Sequence, residues 1–170
     1  PADERDRAAL VERFDAEALF VDPASEDLYV VTKRRTNNVP AARVYRLPAE
    51  RIRWNAPNVH VLEFVTDLTA MIPLMPTGAD VDSAGRLAVI RDYFAAHIFT
   101  APAGEPLMRA FEARPQVVSL FGEVLGEGIA FSLDGRELIT TCEVGSRAPK
   151  GFPIYVTPVP APVATATRPE

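Results

Sequence analysis

Apolar residues in this chain fall in short windows of Val, Ile, Leu, Phe and Tyr, many alternating with polar positions. A period of two sustained over so few residues marks short, half-buried strands. Sixteen prolines and nine glycines punctuate the 170 residues between these windows. The pattern predicts strands over Glu17–Val21, Leu28–Thr32, Arg43–Leu47, Val59–Val65, Gly78–Asp82, Arg86–Arg91, Ala95–Thr100, Gln116–Leu120, Gly128–Ser132, Glu137–Cys142 and Ile154–Thr157. Leu19, Val21, Tyr29, Val31, Val89, Ile129, Phe131 and Ile139 are the expected core positions of these strands. Two segments depart from the alternation. Asp3–Phe14 is rich in Ala, Glu, Arg and Leu, and Glu105–Ala113 sets Leu107, Met108 and Phe111 at helical spacing, which predicts short helices near 3–14 and 105–113. Residues 158–170 intersperse Pro with Val, Ala and Thr and carry no periodic face, as an extended Pro-rich tail would.

Three segments share one layout of strand, acidic turn and strand: EALFVDPASEDLYVV, TGADVDSAGRLAVI and EGIAFSLDGRELIT. Aligned on the turn, Glu17, Thr77 and Glu127 occupy one position, so the copies lie 60 and 50 residues apart. Such a spacing suits a propeller blade. In Asp82-Ser83-Ala84-Gly85-Arg86 and Ser132-Leu133-Asp134-Gly135-Arg136 a short polar side chain opens the turn and Gly takes the left-handed position. The first copy, Asp22–Asp27, has Glu26 where the Gly is expected. Either that turn is one residue longer, or Glu26 bears a strain of about 1 kcal/mol.

These hairpins resemble the S-P-D-G-R turn of blades in WD-repeat, YVTN-type and related bacterial β-propellers. More narrowly, DAEALFVDPASEDLYVVTK, ARVYRLP, TGADVDSAGRLAVIRDY and GEGIAFSLDGRELITTCE are similar to longer, mostly secreted bacterial propeller proteins, over roughly residues 14–157. The resemblance implies an all-β fold: a propeller segment of about three four-stranded blades, near 15–66, 67–120 and 121–157, after an N-terminal arm over 1–14. It also implies a periplasmic or extracellular location. Pro is missing after the first polar residue of both turns, and further blades precede the matching region in the resembled proteins. A start at Pro1 reads as a trimmed chain or a piece of a longer one.

An arc of three blades leaves two apolar sheet faces uncovered, so another protein chain is expected to complete the ring. That chain is either a second copy, giving six blades, or a separate chain carrying the remaining blades.

Charge and cysteine content narrow the function. A net charge of -5 gives no general attraction to nucleic acid. No apolar stretch is long enough for a membrane-spanning helix. The single cysteine, Cys142, excludes an intrachain disulfide, and no zinc spacing occurs. Lys33, Arg34, Arg35, Arg43, Arg46, Arg51 and Arg53 crowd together near Trp54 and Tyr45. They form a candidate basic surface patch for an acidic partner, or a solvated face opposite acidic neighbours.

Nucleophile-elbow, phosphate-loop and zinc-hydrolase motifs are absent, and the two histidines, His60 and His97, read as structural. The strongest chemical constellation is acidic. Asp15, Glu17, Asp80 and Glu127 sit at or near the starts of first strands, which surround the central channel in a propeller. By analogy with lactonase-like and phytase-like propellers they are a candidate Ca²⁺ site of a hydrolase. Carboxylates that cap backbone N–H groups and solvate the channel are the plainer reading. The sequence therefore favours a non-enzymatic binding or assembly module without a cofactor, with a Ca²⁺-dependent hydrolase as the alternative.

Overall fold

The computed structural model describes residues 15–33, 42–55, 59–69, 75–120, 122–123, 125–143 and 153–161. The expected helix near 3–14, Arg34, Arg35 and the tail beyond residue 161 lie outside the described residues.

Among the described residues the strands form three antiparallel sheets, each a meander of sequential neighbours. The first sheet holds β1 (Ala16–Val21), β2 (Leu28–Thr32), β3 (Arg43–Leu47) and β4 (Glu63–Asp67). The second holds β5 (Gly78–Val81), β6 (Leu87–Arg91), β7 (Ala95–Thr100) and β8 (Gln116–Ser119). The third holds β9 (Gly126–Phe131), β10 (Glu137–Cys142) and β11 (Ile154–Pro158), one strand fewer than the expected four. The first strands lie side by side, with β5 against both β1 and β9. The chain is all-β, and the arrangement is that of consecutive blades in a partial β-propeller.

Turn chemistry fixes the three aligned hairpins. Gly85 and Gly135 take φ of 66° and 69°, the left-handed conformation that a side chain disfavours. Asp82 Oδ1 accepts the N–H groups of Arg86 and Leu87, both at 2.7 Å, and Ser132 Oγ accepts that of Glu137 at 3.0 Å. In the first copy both expected departures occur. Glu26 has φ of 61°, and its N–H reaches back four residues to the Asp22 carbonyl, whereas those of Gly85 and Gly135 reach back three.

Two clusters hold the sheets together. Ala18, Phe20, Tyr29, Val31 and Val44 of the first sheet pack on Val81, Ala88, Ile90 and Phe99 of the second. The Phe20 and Tyr29 rings stack at 5.0 Å. The segment after β7 folds as a 3-10 helix, Leu107–Glu112, whose Leu107, Ala110 and Phe111 close the same cluster. The opposite face of the second sheet presents Val89, Ala96 and Ile98 to Phe131 and Leu138 of the third. Tyr29, Val31, Val89 and Phe131 are therefore core as expected, and Ile129 is packed against it.

Leu19 and Val21 are not core: they are 55% and 49% exposed. Alternation along β1 sends Ala18 and Phe20 towards the second sheet and these two the opposite way. Ile139 is likewise only half-buried, on the outer face of the third sheet. β4 begins at Glu63 rather than Val59, because Val59 and Val61 are solvent-exposed and the pairing with β3 runs over Glu63–Asp67.

Candidate functional site

The four acidic candidates do not form one cluster. Glu17, at the start of β1, forms an ion pair with Lys33, just beyond β2. The Lys33 N–H donates to the Asp15 carbonyl at 2.6 Å. Lys33 is buried and its Nζ lies 5.5 Å from the centre of the Tyr93 ring, so it leaves the proposed basic surface patch and becomes part of the seam between the first two sheets. Burial opposes the Lys33 charge, but hydrogen bonds to Glu17 and Tyr93 outweigh it and hold the pKa above the ordinary value. Glu127 belongs to the same neighbourhood. Its pKa is raised, first by burial and then by Glu17 and Glu143, against the opposing charges of Lys33 and Arg91.

Asp80 is engaged elsewhere. Its Oδ2 accepts the Phe131 N–H at 2.8 Å, pinning β5 to β9. Among the described residues no three His, Cys, Asp or Glu side chains come together in a way that could hold a metal ion.

The remaining described basic candidates pair within or beside the first sheet. Arg43 meets Asp67 at 2.9 Å, Arg46 reaches Asp27 at 3.3 Å and Glu63 at 3.4 Å, and Arg51 meets Glu63 at 2.6 Å. Arg53 donates to the Glu50 carbonyl at 3.0 Å. The exposed Arg51–Glu63 pair contributes little stability, whereas Arg43, Arg46 and Asp27 are partly buried. Trp54 stands exposed beside them, while Tyr45 packs edge-on against Phe64 at 5.9 Å.

His60 accepts a long contact from the Arg53 N–H at 3.5 Å. His97 Nε2 lies 3.0 Å from Asp92 Oδ2, and Asp92 Oδ1 accepts the N–H groups of Phe94 and Ala95 at the β6–β7 turn. Burial pushes the Asp92 pKa up, but these hydrogen bonds prevail and it lies below the ordinary value.

Sequence reasoning missed a buried ionic junction. Arg91 is fully buried, and its Nη1 bonds Glu123 Oε2 and the Gly128 carbonyl, each at 3.0 Å, and the Thr141 carbonyl at 3.2 Å. Glu123 in turn accepts the Thr140 hydroxyl. A Cβ on Gly126 would sit 1.4 Å from Arg91 Nη2, and one on Gly78 would sit 2.5 Å from the Glu127 carbonyl oxygen. Gly78 therefore permits the close approach of β5 and β9, and Gly126 leaves room for the Arg91 guanidinium of β6. The available signal was Arg91 itself, a charge inside the otherwise apolar run LAVIR, which requires a buried partner.

The outer sheet faces form the other notable surface. Cross-strand register places Leu19, Val30, Tyr45 and Phe64 in one row across all four strands of the first sheet, on the face turned away from the second. Phe64 is 57% exposed. On the third sheet Ala130, Ile139 and Val156 form the corresponding outward row, with Ile154 beside it.

No protein-family model and no curated protein matches this chain. Among solved structures, the chain is similar to one described as "Crystal structure of Nidogen/Laminin Complex", at 14% identity and a TM-score of 0.48. The match covers 75% of this chain, which spans 39% of the length of that one.

Proposed function

We propose that this chain is a non-enzymatic β-propeller module for binding or assembly, and that another polypeptide covers the two outer faces of its arc. One observation carries this reading: the second sheet is buried on both faces, whereas the first and third each turn an apolar row to solvent. Apolar patches on the order of several hundred Å² are uncommon on monomers and mark interaction sites. The carboxylates lend little support to a hydrolase, since Glu17 is held by Lys33 and Asp80 by the Phe131 N–H. The resemblance of the hairpins to secreted bacterial propellers favours a periplasmic or extracellular setting for this role.

Native mass spectrometry with a dye titration tests the reading. A species heavier than 18.6 kDa supports it, as does anilinonaphthalene sulfonate binding by the bare chain that Phe64→Asp reduces. An 18.6 kDa species that binds no dye overturns it.

A further inference from the structure

A cavity of about 310 Å³ opens where the end of the first sheet meets the segment between β7 and β8. Both of its walls come from the first and second sheets, which pack on each other inside the chain. On one side stand Asp67, Leu68 and Thr69, at and just after the end of β4. On the other stand Phe111, Glu112 and Arg114, at the end of the 3-10 helix and just before β8. Backbone bonds hold both walls in place: the Leu68 N–H donates to the Ala42 carbonyl at 2.8 Å, and that of Ala113 to the Ala110 carbonyl at 3.3 Å.

The lining divides into an apolar floor and a charged rim. Leu68, Phe99 and Phe111 are buried in the first cluster and form the floor, with the two rings 5.2 Å apart. The rim is incompletely paired. Asp67 meets Arg43 through Oδ1 and Glu112 meets Arg109 through Oε1, so each keeps a second oxygen that can accept a hydrogen bond. Among the described residues Arg114 takes no ion pair and no hydrogen bond.

An apolar recess with a few polar groups at its edge is the usual form of a small-molecule site, and this one lies at the small end of the size range. The rim then specifies what enters. A guanidinium without a partner fits a carboxylate, which it can hold through two parallel hydrogen bonds. The open oxygens of Asp67 and Glu112 fit an ammonium. Arg43, Arg109 and Arg114 outnumber these two carboxylates, which disfavours a ligand that is only a cation. A free amino acid carries both charged groups on one carbon, and an apolar side chain covers the floor.

We propose that this cavity binds a free apolar α-amino acid. Arg114 holds its carboxylate, Asp67 and Glu112 its ammonium, and Leu68 and Phe111 its side chain. The site adds a small ligand to the module described above and does not rest on the interaction reading.

Chemical-shift titration of the isotope-labelled full chain tests this with matched ligands. Leucine and phenylalanine are expected to bind in the millimolar range or tighter, shifting the Thr69 and Ala113 amides, and glycine about tenfold or more weaker for want of an apolar body. Leucinamide lacks the carboxylate and isocaproate lacks the ammonium, and each is expected to lose about tenfold against leucine.

Two variants at exposed positions assign these losses. In Arg114→Gln leucine falls to the level of leucinamide. In Glu112→Gln the gap between leucine and isocaproate narrows. The ligand series on the unmodified chain decides the matter even if a variant fails to fold. No shift with either amino acid at about 10 mM overturns the proposal, as does leucine binding that Arg114→Gln leaves unchanged. Isocaproate binding as tightly as leucine to the unmodified chain overturns the assignment to an amino acid.

Discussion

The second sheet and the first sheet are built from the same repeat, yet they keep different company. β6 of the second sheet is buried along almost its whole length, because Ala88 and Ile90 face the first sheet while Val89 and Arg91 face the third. β1 of the first sheet alternates sharply, with Ala18 and Phe20 buried and Leu19 and Val21 open to solvent. Both runs are apolar in sequence. The alternation that distinguishes an interior blade from a terminal one comes from neighbours, not from composition. An apolar run on a terminal sheet is thus a record of a face that expects cover.

Substitutions at matched aromatics give the widest separation between the two environments. Phe99→Ala removes a ring that packs 5.2 Å from Phe111 at 1% exposure, and should cost about 3–5 kcal/mol in urea unfolding. Phe64→Ala in the uncovered chain should cost under about 1 kcal/mol, as surface substitutions usually do. Equal losses at both positions would break the distinction between interior and terminal sheets.

The ionic junction sharpens the comparison from the other side of the second sheet. Arg91→Met strands Glu123 in a buried site, where removing one partner of an ion pair costs about 3 kcal/mol. Arg91→Met with Glu123→Leu should recover most of that loss, which a double-mutant cycle measures. A smaller effect of opposite sign is expected at the first hairpin. Glu26→Gly relieves a side chain held at φ of 61° and should raise stability by about 1 kcal/mol, visible as a higher midpoint in thermal unfolding.

The strand pattern was largely legible because the information is local. A polar opener, a left-handed Gly and two flanking apolar runs identify SLDGR and DSAGR as hairpins without any knowledge of the rest of the chain. Glu26 shows the same logic: the missing Gly was readable as a longer or strained turn, and the turn is both longer and left-handed. Facing was not legible. Nothing in ALFV tells which alternate set will meet a neighbour, and so Leu19 and Val21 were assigned to a core they do not enter.

The partners of the candidate site residues were illegible for a related reason. Position along a strand brought Glu17 and Glu127 into one neighbourhood, but the partners that decide their chemistry lie far away in sequence or on another sheet. Lys33 turned inward to Glu17 and Tyr93, Asp80 was taken by the Phe131 N–H, and Arg91 found Glu123 thirty-two residues on. Long-range pairings of this kind follow from topology, which a local reading of charge cannot supply.

Hydroxyl-radical footprinting of the native protein most directly tests whether the terminal faces are covered in solution. Covered flanks predict that Tyr45 and Phe64 are protected nearly as well as Tyr29, and that Phe64→Asp restores the reactivity of Tyr45. Contradiction would come from a stable, monomeric protein in which Tyr45 and Phe64 react as fast as in the unfolded chain while Tyr29 stays protected.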